Sequence, residues 1–159
     1  MSSSTILTTD RLVLRPWATG EIAAVLGGER LEHWADDFPA EGDRVIAGIL
    51  AEQPELLGDH GHRVIAERES GRVVGSIGLF WPPAEGAIEI GYGVVPSRRG
   101  RGYASEATRA LVAHALTAPE VHAVTATAEL SNPASIRVLE KAGLRWWSAD
   151  GETVRYRTA

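Results

Sequence analysis

Two hydrophobic rhythms alternate along the chain, and the switches between them lay out its elements. Arg11-Leu-Val-Leu-Arg-Pro16 sets apolar residues between charged ones and predicts a first strand ended by proline. A helix capped by Thr19 runs to Leu26 and stops at Gly27-Gly28. A polar stretch with Trp34, Phe38 and Pro39 leads to a second helix over about 42–57, with Val45, Ile46, Ile49 and Leu50 on one side. His62–Arg68 and Arg72–Phe80 read as strands joined by Glu69-Ser-Gly71, with glycine where a hairpin needs a positive φ. Trp81-Pro-Pro-Ala-Glu-Gly86 reads as a turn, and Ala87–Val95 as a strong strand ended by Pro96. The internal Gly91 and Gly93 point to a bulge or to close approach of another backbone.

After an Arg/Gly loop, Ser105–Leu116 carries the helical stripe Ala107, Leu111 and Ala115, and Val121–Ala128 is a strand. Asn132-Pro133 opens a last helix as cap and first turn, and Gly143 closes it. Leu144–Trp147 and Thr153–Arg157 make a hairpin about Asp150-Gly151. The order predicts an α/β domain with a mixed, mostly antiparallel sheet, and 159 residues fit one such domain, 1–159.

Composition narrows the chemistry. With 44% hydrophobic and 23% charged residues the chain reads as globular rather than disordered. It has no cysteine, which excludes disulfides, thiolate catalysis and cysteine-ligated metals. Asp59, His60 and His62 could hold a metal, but their Gly-rich setting reads as a solvated turn, so no metal is expected. No apolar run approaches the about 18 residues of a membrane span, and Met1-Ser-Ser-Ser-Thr5 lacks a secretory signal's regions; a cytoplasmic protein with no membrane partner is expected. The net charge of −5 argues against nucleic-acid binding.

The distribution of charge says more. Between Glu29 and Asp59 stand Glu29, Glu32, Asp36, Asp37, Glu41, Asp43, Glu52, Glu55 and Asp59 against Arg30 and Arg44, whereas Arg98, Arg99, Arg101 and Arg109 face only Glu106. One region suits a cation and the other an anion, unless both are simply solvated faces. Pro96–Ala107 follows a strand and opens a helix, where unoccupied N–H groups and the positive end of the helix dipole converge and glycines admit a phosphate. A Walker loop would need Gly-Lys-Ser/Thr, which is absent. A dinucleotide fingerprint starting at Gly100-Arg-Gly102 finds Ser105 at its third position, although Glu129 sits near where a ribose-binding acid belongs.

Arg99-Gly-Arg-Gly-Tyr-Ala104 resembles the Arg/Gln-x-x-Gly-x-Gly/Ala motif of the GNAT superfamily of N-acetyltransferases. Thr9–Pro16, Glu89-Ile-Gly-Tyr92, Gly102–Ala107 and Asn132–Leu144 are similar to blocks of its RimJ/RimL-type branch, in the same order across nearly the whole chain. The resemblance implies a sheet of six to seven strands with a splayed central pair and about four helices. It implies acetyl-CoA as cosubstrate, with the pyrophosphate on Arg99, Gly100, Arg101, Gly102, Tyr103 and Ala104. Val94 and Val95 would pair with the pantetheine arm from a bulged central strand, and Asn132 and Ser135 would lie beside it. Many relatives use a tyrosine near the last helix as general acid. None lies between Tyr103 and Tyr156 here, which leaves Ser135 as candidate.

Attack of an amine on a thioester needs a base and an oxyanion donor. Glu89 is the candidate base, read otherwise as an outward residue in the Ile88/Ile90 alternation; Glu106 suits a helix first turn, and the N–H near Val94 suits the oxyanion. Asn132 also reads as a helix cap alone. The acidic segment is expected to form the acceptor wall and to favour a cationic amine, with Trp34, Phe38 and Trp81 as an apolar or cation–π surface or as core. Trp146-Trp147 would place at least one ring in the core or a dimer interface, making a homodimer a further expectation. Two other functions stay open: a non-catalytic coenzyme A sensor and a dinucleotide-binding oxidoreductase.

Overall fold

The computed structural model describes residues 6–158, and the two rhythms appear there as eight strands and four α-helices. In chain order these are β1 (Leu7–Thr8), β2 (Leu12–Pro16), α1 (Thr19–Gly27), α2 (Glu41–Glu52), β3 (His62–Glu67), β4 (Val73–Ala84), β5 (Ala87–Val94), α3 (Tyr103–Ala115), β6 (Ala123–Glu129), α4 (Pro133–Lys141), β7 (Arg145–Asp150) and β8 (Thr153–Arg157). One sheet runs β1-β2-β3-β4-β5-β6-β8-β7, and every pairing is antiparallel except β5 with β6. The strand beyond the expected six to seven is β1, whose two residues are too few to show a period. No helix among the described residues is long and apolar enough to cross a membrane.

Local chemistry explains where the elements depart from expectation. Thr19 lies inside α1; the cap is Ala18, whose N–H donates to the Glu21 carboxylate at 2.9 Å. The second helix ends at Glu52 because Pro54 cannot continue it, and Pro54–Leu57 forms a separate 3-10 turn. Trp81–Ala84 is strand rather than turn. Its prolines fall between the pairs Phe80–Glu89 and Ala84–Ala87, where the register shifts and no ladder N–H is needed. The turn itself is Glu85-Gly86, with φ of 53° and 81°.

Leu12, Leu14, Ile65, Ile77, Leu79, Ile88, Leu111 and Leu139 are fully buried and join the sheet to its helices. Trp34 and Phe38 belong to this core, meeting edge-on at 5.1 Å, and offer no acceptor surface. Trp146 and Trp147 are both exposed, because β7 is an edge strand and its register shifts between Trp146 and Ser148; neither ring enters the core. The Arg157 guanidinium lies over the Trp147 ring at 5.3 Å.

One buried charge sets acid stability. Glu21 accepts two bonds from Arg15 (2.8 and 2.9 Å), contacts His33 Nε2 at 2.8 Å and accepts the Ala18 N–H. Burial pushes its carboxyl up, but these donors outweigh it and hold the pKa at about 2, against an ordinary 4.5. A depressed carboxylate contributes stability above its unfolded value and loses it as pH falls through the folded one. Glu21→Gln is therefore expected to cost about 3 kcal/mol at neutral pH, with the gap to the parent closing between about pH 5 and pH 2. Urea unfolding across that range measures it.

Candidate active site

The site begins where the sheet opens. β5 and β6 pair in parallel only from Ala87–Ala123 to Glu89–Thr125, and then diverge. On its other edge β5 stays in register with β4 from Phe80–Glu89 to Gly75–Val94, so Gly91 and Gly93 form no bulge; the irregularity lies between Phe80 and Ala84. The expected splay thus comes from divergence of β5 and β6. Val95 N–H donates to Val74 O at 2.8 Å, and antiparallel alternation turns the amides of Tyr92 and Val94 the other way, into the opening. The Val94 amide thus faces the opening, whereas the Val95 amide, expected beside it, is committed to the sheet.

Beyond β5 the chain passes a 3-10 turn, Pro96–Arg98, and enters α3 through two glycines in the left-handed region, Gly100 (φ 79°) and Gly102 (φ 83°). Gly102 is the cap, so Tyr103 and Ala104 lie in the first turn, where N–H groups have no helical carbonyl ahead of them. A Cβ at Gly100 would meet nothing within 4 Å, leaving the cradle open. Arg99 donates through Nε to Val94 O at 2.9 Å, and half the Arg101 side chain is exposed.

The cradle is held from behind by residues far away in sequence. Arg11 donates to Arg101 O at 2.7 Å, lies 4.9 Å over the Tyr103 ring, and pairs with Glu106 at 2.8 Å. Glu106 also accepts from Thr9 Oγ1 (2.6 Å) and Arg11 N–H (2.9 Å); burial raises its pKa, but these donors outweigh that and hold it low. Glu67 accepts from Tyr103 OH at 2.9 Å and Arg98 Nε at 3.1 Å. Glu106 and Glu67 are therefore spent on the loop's shape. A glycine-lined helix start flanked by arginines fits a pyrophosphate.

Across the opening, Asn132 Oδ1 accepts the Ser135 N–H at 3.2 Å, a helix cap that also fixes where Ser135 sits. The Tyr92 hydroxyl reaches from β5 to within 2.6 Å of Ser135 Oγ and 3.1 Å of Ser135 O. Burial pushes the Tyr92 pKa up against the opposing Ser135 hydrogen bond, so it stays a proton donor at neutral pH. No tyrosine lies between Tyr103 and Tyr156; the one that reaches the start of the last helix is Tyr92 of β5, in the block Glu89-Ile-Gly-Tyr92, and only the fold brings it there. Glu89 is exposed, with its carboxylate 3.3 Å from Thr127 Oγ1 across the opening.

A cavity of about 400 Å³ adjoins the opening between α2, β4 and β5. Of the acidic segment only Asp43 lines it. Asp43 accepts from Ser76 Oγ at 2.5 Å and from Ala40 N–H at 2.8 Å; burial raises its pKa against these bonds. Glu29, Asp36 and Asp37 line other recesses, and Asp37 accepts from Ser97 N–H (2.8 Å) and Ser97 Oγ (2.7 Å). His62 also lines the cavity, apart from Asp59 and His60, and burial lowers its pKa to about 4. Asp59 and His60 gather instead with His114 of α3, their ligand atoms within 4.8 Å of one another, so the turn is packed rather than solvated. There the Arg63 guanidinium lies 3.4 Å from Asp59, and the His60 ring 5.1 Å from both His114 and Trp81.

The sequence matches the family described as acetyltransferase (GNAT) domain over residues 11–145. It is 30% identical over 144 residues to the uncharacterized N-acetyltransferase YnaD of Bacillus subtilis (strain 168), covering 87% of this chain and 82% of that protein. A second uncharacterized N-acetyltransferase of that strain, YjdG, is 37% identical over 81 residues, 50% of this chain and about half (48%) of the relative. An acetyltransferase (GNAT family) from Bacillus anthracis shares the fold at a TM-score of 0.71 and 21% identity, covering 96% of this chain and 97% of that one. The chain belongs to the GNAT family of acetyltransferases.

Proposed function

We propose that the protein transfers an acetyl group from acetyl-CoA to a primary amine, directly within a ternary complex. One observation carries this reading: the β5–β6 opening lies beside the glycine cradle of α3, with Glu89 on one flank and the Tyr92–Ser135 pair bridging it. Acetyl-CoA supplies an electrophilic thioester carbon and a thiolate leaving group. The 100–104 backbone N–H groups, with the Arg99 and Arg101 side chains, hold the pyrophosphate, the Arg99 N–H being bonded to Pro96 O at 3.3 Å, and Asn132 places Ser135 beside the pantetheine. The Val94 N–H is turned toward the opening and stabilises the developing oxyanion. Glu89 takes the proton from the acceptor amine through water, and Ser135 with Tyr92 delivers one to the departing sulfur.

A thermal-shift panel of acetyl-CoA, CoA, NAD and ATP, followed by a free-thiol assay with pooled amines, tests the reading. Stabilisation by NAD alone would sink it, and stabilisation by coenzyme A without turnover would leave a binding module. Gly102→Val supplies the control. A β-branched residue must leave the left-handed region, and its Cβ would come within 3.3 Å of Arg11 Nη2. The first amides of α3 then turn out of the cradle. The KM for acetyl-CoA is expected to rise at least about tenfold, the factor for the roughly 1–2 kcal/mol of strain, with kcat little changed.

A further inference from the structure

We infer that the acceptor carries its amine on an uncharged apolar body and is not a polycation; this rests on the acetyltransferase reading above. The rim of the cavity exposes two large apolar side chains, Val45 of α2 (56% exposed) and Phe80 of β4 (39%), as ligand sites do. Ile46 continues the apolar wall. Gly78 and Gly91 are register partners on neighbouring strands. A Cβ at Gly78 would overlap the His62 ring, and one at Gly91 would come within 3.0 Å of Phe80 Cε2. Both rings therefore lie against strand backbone and build an aromatic wall. Gly42 and Gly93, also lining the cavity, would place a Cβ in open space and so leave width for a ring or branched alkyl group.

The charges point the same way. Asp43 is committed to Ser76 and the α2 cap, and burial favours its neutral form. His62 is neutral at physiological pH, and the remaining charged residue of the lining, Arg99, is a cation. A polyamine or aminoglycoside would bring second and third ammonium groups into a recess that offers them no uncommitted carboxylate. Glu89, register partner of Phe80, stands beside the rim and suits one ammonium. One amine next to one apolar group fits an aryl- or alkylamine and equally the first residue of a peptide with an apolar side chain.

The test is free-thiol release with saturating acetyl-CoA and four acceptors: phenethylamine, a short peptide beginning with phenylalanine, spermidine and kanamycin. The expected result is a kcat/KM for phenethylamine or the peptide at least about tenfold above both polycations, the usual worth of an apolar pocket contact. Turnover of the peptide alone assigns a polypeptide source, and of phenethylamine a small molecule. Val45→Asp, at an exposed helix position, should lower the apolar acceptor's kcat/KM about tenfold, raise that of spermidine and leave the acetyl-CoA KM unchanged. Spermidine or kanamycin equalling the apolar acceptors, or an unaltered preference in Val45→Asp, overturns the inference while the acetyltransferase reading stands. No turnover of any amine by protein that acetyl-CoA stabilises overturns both.

Discussion

Glu89→Gln is expected to lower kcat about a hundredfold or more while leaving the KM for acetyl-CoA within about twofold. The acceptor amine is protonated near neutral pH and cannot attack until its proton leaves. Glu89 sits where β5 and β6 part, exposed and in contact with Thr127, so a water can reach both it and the opening. Glutamine keeps that contact and the side-chain volume but accepts no proton. The variant's residual rate should then follow the fraction of free amine in solution. Its deficit should be widest at low pH and narrow as pH rises through the amine's own pKa. A residue that merely shaped the strand would depress the rate equally at every pH.

Ser135→Ala and Tyr92→Phe should each lower kcat about a hundredfold, and the double variant little further, because the two hydroxyls act as one relay. In the proposed reaction the 2.6 Å contact would make them a single proton path across the opening. Alanine at 135 retains the backbone N–H that Asn132 caps, so the start of α4 should survive the change. Ser135→Thr, which keeps the hydroxyl, should recover most of the rate. If Tyr92 only braced the two walls, Tyr92→Phe would raise the acetyl-CoA KM and spare kcat. Additive losses in the double variant would show two independent roles.

Much of this architecture could be read from local signals. Gly71, Asn132 and the β8 limits Thr153–Arg157 stand where the pattern put them, because turn glycines, helix caps and strand alternation act over a few residues. The glycine-rich start of α3 is legible for the same reason. The Arg11 clamp was not, since Arg11 meets Glu106 across 95 positions and nothing local marks the pair. Tyr92 was hidden likewise: its partner lies 43 residues on, and only the divergence of β5 from β6 leads the hydroxyl there. The acidic segment shows another limit, because charge along a chain does not say which side chains are already committed. Asp37 serves Ser97 and Asp43 serves Ser76. Val95 shows the finer limit, for hydrogen-bond phase decides which of two adjacent amides faces the opening.

The same clamp has a thermodynamic consequence for the cosubstrate. A glycine-rich loop in solution samples many backbone states, and a ligand that had to still it would lose affinity to that ordering. Arg11 holds Arg101 O and the Tyr103 ring as part of the fold. If acetyl-CoA binds as proposed, that ordering falls to folding, and less of the attraction between amides and phosphate is lost to stilling the loop.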